Sequence, residues 1–236
     1  MKYELVKTDT KQFCGRTLYR IRALVAIGSL IAPNDLGGYI ESEKNLSQMS
    51  DNAWVSGNAR VYGNARVYGD ARVYGNAWVS GNAWLYGNAR VYGDARVSGN
   101  AQVYDNAQVY GNARVSGNAR VYDNAWVSGN ARVFGDAQVY GNARVSGDAL
   151  VSNHKTWLLI GPAKSSGRFT TAFIDDKIGV RVACGCFTGT VAEFSERIEK
   201  THKENKEHLE QYRLFCELIG VSFEVQQRAQ LQEAPL

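Results

Sequence analysis

The sequence predicts a mainly β protein organised around a solenoid of parallel strands, and three observations carry that reading. Seventeen consecutive hexapeptides of the form [G/D]-[N/D]-A-x-[V/L]-[Y/S/F] run without insertion from Asp51 to Ser152. Self-similarity at a fixed period marks a repeat architecture and outranks local propensity. Within each unit Ala and Val flank one variable residue, the period-two alternation of a short strand with one buried face. The letter after Val then segregates: Ser occupies units 1, 5, 8, 11, 13, 16 and 17, whereas every third unit carries Tyr, at Tyr68, Tyr86, Tyr104, Tyr122 and Tyr140. A Tyr series every eighteen residues predicts three hexapeptides per coil, and no comparable segregation exists at two per coil.

Each unit reads as a strand plus a corner. Gly-Asn or Gly-Asp supplies residues that accept positive φ at little cost, so the chain can turn after every strand. Burying one Val and one Ala gains roughly 3 kcal/mol, whereas ordering six backbones costs about 1–2 kcal/mol each. A lone unit is therefore unstable, and coils must stack about 4.8 Å apart with parallel ladders satisfying the backbone. "NLSQMS" fits as a degenerate further unit, which places the solenoid at 45–152.

Both ends of a solenoid need covering, or their open ladders recruit other strands. Residues 1–44 read as an N-terminal β cap, with strands in "KYELV" and "TLYRIRALVAI" and turn residues in "PNDLGGYIES". Residues 153–236 read as a small α+β domain. Strands in "TWLLIG", "RFTTAFI" and "IGVRVACGCF" are separated by turns at "PAKSSG" and "DDK". Two helices follow, the first opened by a Thr190/Glu193 capping box ahead of Val191, Phe194 and Ile198, the second carrying Leu209, Tyr212, Phe215 and Ile219. The closing "QQRAQLQEAPL" is expected to fray.

An apolar residue with a small residue four positions on, as in Val61 with Ala65 and Val67 with Ala71, resembles the hexapeptide-repeat left-handed β-helix family. The resemblance implies a left-handed triangular prism of about six coils. The ends carry a second one. "RIRAL…DLGGYIES" and "TTAF…GVRVACGCFTGTVAEF" resemble hexapeptide-repeat proteins encoded by bacteriophages and prophages. That family offers no activity or functional residues to transfer. By context it implies a role against host defences, exercised in the cytoplasm of a bacterial host by binding a host protein or a nucleotide signal.

Read every eighteen residues, the variable letters sort into three faces. One carries the Tyr series beside Arg66, Trp84, Gln102, Arg120 and Gln138; a second carries Arg60, Trp78, Arg96, Arg114 and Arg132 on a background of Ser80, Ser98, Ser116 and Phe134. The third mixes Trp54, Arg72, Arg90, Gln108, Trp126 and Arg144 with Tyr74, Tyr92 and Tyr110. Residues 51–152 hold nine Arg and seven Asp but neither Lys nor Glu. Arg stacks on rings and forks to phosphate or carboxylate, although duplication of one ancestral codon explains the same uniformity. The Tyr series similarly reads either as stacking that stabilises the coils or as a contact surface. The candidate binding residues are Arg96, Arg114, Arg132, Trp78 and Trp84, with Tyr68, Tyr86, Tyr104, Tyr122 and Tyr140. The expected partners are a second copy of the chain, a host protein or an anionic small molecule such as a nucleotide; nucleic acid ranks below these, and a membrane is not expected.

Other function classes find little support. His154, His202 and His208 all lie outside the repeat, whereas acyltransferases and carbonic anhydrases of the resembling family use His on or between coils, so no enzyme is expected. "GPAKSSGR" lacks the Gly-Lys-Ser/Thr ending of a phosphate loop. Cys184 and Cys186 with His202 make an incomplete tetrahedral set and read as packing, so no metal or cofactor is expected. Four scattered cysteines form no disulfide framework. No run is apolar enough for a signal peptide or membrane span. The protein is expected to be cytoplasmic.

Overall fold

The computed structural model describes the backbone of residues 1–233 and the side chains of residues 1–224. Each hexapeptide contributes one two-residue strand made of its variable residue and the following Val or Leu, from Trp54–Val55 through Leu150–Val151 in steps of six. These strands pair in parallel with the unit eighteen residues away, so that Arg96 sits between Trp78 and Arg114, and Gln102 between Trp84 and Arg120. About six coils stack in this way into three parallel sheets. Within a unit three N–H groups donate to the next coil, as Arg96 does to Ala113, Ser98 to Val115 and Asn100 to Gly117, at 2.9, 2.9 and 2.7 Å. The interior is a stack of Ala and Val side chains without exposure.

The corners divide their labour differently from the expectation. From Gly57 on, the first corner residue alone takes the positive φ, a Gly in most units and an Asp at Asp105 and Asp123, and the Asn or Asp after it has ordinary φ. The Asn side chains form a ladder instead: Asn64 donates to Asn82, Asn82 to Asn100, Asn100 to Asn118 and Asn118 to Asp136, at 3.0, 3.0, 2.9 and 2.9 Å. A carboxylate accepts but cannot donate, and Asp ends this run just as Asp94 and Asp148 end the runs that pass from Asn58 through Asn76 and from Asn112 through Asn130.

At the N-terminus β1 (Tyr3–Phe13) and β2 (Arg16–Ala23) form an antiparallel pair. The segment read as turn residues contains a strand, β3 (Leu36–Ile40), which joins β2 on one side and Arg60–Val61 on the other. Its two glycines do not serve turning. A Cβ on Gly37 would meet the side chain of Ile21 and lie 2.6 Å from the Val55 carbonyl, and one on Gly38 would lie 2.8 Å from the Ala59 carbonyl. Close approach to the first coil requires both. Buried Asn45 substitutes for a rung by donating to the carbonyls of Gly63 and Ala65, at 3.0 and 2.9 Å.

Beyond the solenoid lies a four-stranded antiparallel sheet. We number its strands β4 (Trp157–Ile160), β5 (Thr170–Asp175), β6 (Gly179–Cys184) and β7 (Phe187–Thr190); the sequence reading missed the last. Helix α1 (Val191–His202) starts at the expected capping box, with Glu193 N donating to Thr190 Oγ1 at 3.2 Å and Thr190 N to Glu193 Oε2 at 2.8 Å. Helix α2 (Lys206–Glu233) buries Leu209, Tyr212 and Ile219. The fraying expected of residues 226–236 falls on side chains, and from 234 on backbone, outside the described residues.

The sheet closes the last coil chemically as well as sterically. Thr171 Oγ1 accepts from Arg144 N at 3.0 Å, and Asp175 Oδ2 accepts from Asp148 N at 3.2 Å. Read beforehand as part of a turn, Asp175 is fully buried and ion-paired to Arg181 at 2.7 Å. Burial raises its pKa, but the hydrogen bonds from Arg181 and the Lys177 amide outweigh this and leave it below the usual carboxylate value.

Candidate binding surface

In every strand the buried Val faces inward, so the residues on either side of it face out. The three outer columns are therefore the three letter series, and their contents are spent differently.

The Tyr column stacks ring on ring. Successive centroids from Tyr68 to Tyr140 lie 5.2, 4.8, 5.0 and 5.4 Å apart, with interplanar angles between 0° and 19°. Trp157 closes the far end edge-on at 5.2 Å. Burial is the leading cause that pushes the phenols of Tyr68, Tyr86, Tyr104 and Tyr122 above their ordinary pKa; at Tyr104 the neighbouring Tyr86 and Tyr122 add to it. Ring faces inside the column are occupied by neighbours, which leaves edges and hydroxyls for a partner. Its exposed aromatic surface is at Trp84 and Tyr140, 43% and 44% exposed. Trp84 and Tyr68 also line a cleft of about 590 Å³ against the N-terminal cap, together with Met49 and Arg66.

On the third face Trp54 is not displayed. It is 3% exposed beneath Tyr3, 6.4 Å between centroids. Tyr74, Tyr92 and Tyr110 stack at 4.8 and 5.0 Å.

The arginine column continues into the cap. Tyr39, Arg60, Trp78, Arg96, Arg114, Arg132 and Leu150 are successive rungs. At its N-terminal end cations and rings alternate: Lys11 and Arg20 lie over Tyr39 at 4.2 and 4.6 Å, and the Arg60 guanidinium lies 4.4 Å from Phe13 and 5.4 Å from Trp78. Trp78 is enclosed on three sides, since Phe13 meets it edge-on at 4.7 Å and Arg96 covers it at 4.3 Å. Burial first, then the charges of Arg60 and Arg20, lowers the Lys11 pKa. Arg96, Arg114 and Arg132 beyond it are exposed. None has a carboxylate partner; indeed no repeat arginine forms an ion pair among the described residues, because the ion-paired arginines are Arg16, Arg20, Arg22, Arg181 and Arg213. Six of the seven repeat aspartates are committed elsewhere: Asp70, Asp94, Asp136 and Asp148 accept from corner Asn side chains, while Asp51 and Asp123 accept from the Gly69 and Gly141 amides. Negative charge thus sits on the corners and positive charge on the flats.

Cys184, Cys186 and His202 line one cavity, yet no three His, Cys, Asp or Glu residues converge to hold a metal among the described residues. No helix is long and apolar enough to cross a membrane.

The YdcK beta solenoid repeat family model matches nine segments, most of them overlapping a neighbour: 53–69, 59–73, 65–81, 71–87, 83–99, 89–105, 107–123, 113–129 and 137–153. The chain is a β-solenoid repeat protein similar to that family across its coils. No curated protein matches it.

Proposed function

We propose that the protein is a non-catalytic binding module that engages an anionic partner through the flat arginine column. The observation behind this reading is the run of Arg96, Arg114 and Arg132 on consecutive rungs, exposed and without carboxylate partners among the described residues. Like charges about 4.8 Å apart repel, and an acidic surface or a phosphate group relieves that repulsion while using the guanidinium fork. The resemblance of the chain ends to phage and prophage proteins supports a partner in a bacterial host, either a defence protein with an acidic surface or a nucleotide. The same repulsion argues that self-association, where it occurs, uses the face bearing Trp84 and Tyr140 instead.

The test is capture from bacterial lysate with the wild type and with Arg96→Glu/Arg114→Glu/Arg132→Glu, followed by mass spectrometry of proteins and small molecules. A partner retained by the wild type, lost in the variant and released by salt supports the reading. An unchanged set of captured molecules sinks it. A rigid spacer is the second reading, favoured by the uninterrupted ladder that joins two hydrogen-bonded caps.

A further inference from the structure

The C-terminal sheet and its helices flank an open cavity of about 370 Å³ that the solenoid reading leaves unused. Its size falls in the range of small-molecule sites. Two guanidinium groups line it, Arg168 from the loop before β5 and Arg197 from α1, together with the hydroxyls of Thr188 and Thr201 and the imidazole of His202. No Asp or Glu lines it, and neither Arg168 nor Arg197 forms an ion pair among the described residues.

The lining is held in place from behind. Arg168 lies flat across the β6–β7 turn, so close that a Cβ on Gly185 would sit 2.9 Å from its Nη1. That turn is pinned to the solenoid by Arg144, whose Nη1 donates to the Gly185 carbonyl at 2.9 Å. The Arg168 carbonyl accepts from Ala163 N at 2.8 Å. On the opposite wall Arg197 and Thr201 are four residues apart and share one face of α1. His202 stacks on buried Tyr212 with centroids 5.1 Å apart and planes 18° from parallel. At the sheet side Thr170 pairs in register with Cys184, a lining residue, and its fully buried hydroxyl has no hydrogen-bond partner.

We propose that this cavity binds a small aromatic phosphate monoester. The lining offers two guanidinium donors and no carboxylate, and its hydroxyls can donate as well, which complements a group with several acceptor oxygens. Two planar guanidiniums suit a phosphate, since each can give a fork of two charge-assisted hydrogen bonds. Half-buried Phe187 supplies a ring on which the organic part rests. The site is independent of the arginine column, and either can fail while the other stands.

The experiment is calorimetric titration of the full chain at low salt with phenyl phosphate, with phenol as the uncharged comparator. Saturable one-to-one binding of phenyl phosphate is expected, at least tenfold weaker in Arg168→Gln and in Arg197→Gln, partly restored by Lys at either position, and unchanged in Arg96→Glu/Arg114→Glu/Arg132→Glu. Both arginines are exposed, so unaltered melting is expected; Arg197, on the outer surface of a helix, carries the test if Arg168 proves structural. The proposal is overturned by absence of saturable binding to the wild type, by wild-type affinity in both Gln variants, or by phenol binding as tightly as phenyl phosphate.

Discussion

Gly99→Ala puts a number on how tightly the coils stack. Gly99 has φ +69°, and a Cβ there would lie 2.9 Å from both N and O of Gly117 and 3.3 Å from its Cα. The left-handed conformation costs an L-residue about 1–2 kcal/mol. Optimal non-bonded carbon contacts begin near about 3.5 Å, so the coils must part locally, against the 2.7 Å bond from Asn100 N to Gly117 O. Overpacking of this kind costs about 1–3 kcal/mol, for a total of about 2–5 kcal/mol. Gly15→Ala separates the two contributions, because Gly15 has φ +72° but nothing within 4 Å of its missing Cβ. It should lose about 1–2 kcal/mol only. Urea unfolding followed by far-UV circular dichroism measures both. Equal losses would show that the stack yields freely and that the glycine column answers to φ alone. Asp105 and Asp123 set the standard for comparison: both hold a Cβ at positive φ, +54° and +57°, and Asp123 Oδ2 accepts from Gly141 N at 3.0 Å. Ala cannot supply that compensating bond.

Tyr104→Ser removes two stacked contacts, at 4.8 and 5.0 Å, and should cost about 1–3 kcal/mol at about 0.5–1.5 per pair. Because the phenols of this column have raised folded-state pKa values, their stabilisation is fully present below the unfolded value near about 10 and is lost as pH rises through the folded values; denaturation midpoints measured up the alkaline limb should fall less steeply in the variant. Asp175→Asn leaves Arg181 without its carboxylate and should cost about 3–5 kcal/mol, read from urea midpoints at neutral pH. With its folded pKa lowered, Asp175 stabilises above the unfolded value near about 3.9, and that contribution disappears as pH falls through the folded one; acid titration of wild type and variant should therefore converge. Deleting 99–116 removes one coil in register, shortening the prism by about 4.8 Å; the product should fold cooperatively, and scattering that shows loss of the compact form would contradict nearest-neighbour stacking.

How much was legible in the sequence differs by region. The Tyr series predicted the eighteen-residue register because a parallel stack places identical letters over one another, and the rows of Ala and Val predicted the interior. The role of Asn was not legible. Its exposed side chain looks like a turn residue in any one unit, and only the neighbouring coil reveals it as a donor. Gly37 and Gly38 misled in the same way, since a glycine needed for close approach carries the same letter as one needed for turning. Of the candidate binding residues, Arg96, Arg114 and Arg132 lie together on one exposed strip, in the column that also holds Arg60 one period before Trp78, whereas Phe13, which meets Trp78 edge-on from the N-terminal cap, lies outside the repeat and no periodicity could have signalled it.

By itself the sequence determined the solenoid, its three columns and the separation of Arg from Asp, because a repeat turns one local rule into a global one. Tertiary structure alone decided what each column does with its side chains: which rings cover one another, which cations lie on rings, and which arginines are left without a carboxylate. It likewise decided how the coils end, where Asn45, Thr171 and Asp175 take over the hydrogen bonds of a missing rung. Those outcomes depend on distances between segments far apart in the chain, and burial and hydrogen bonding are settled by those distances.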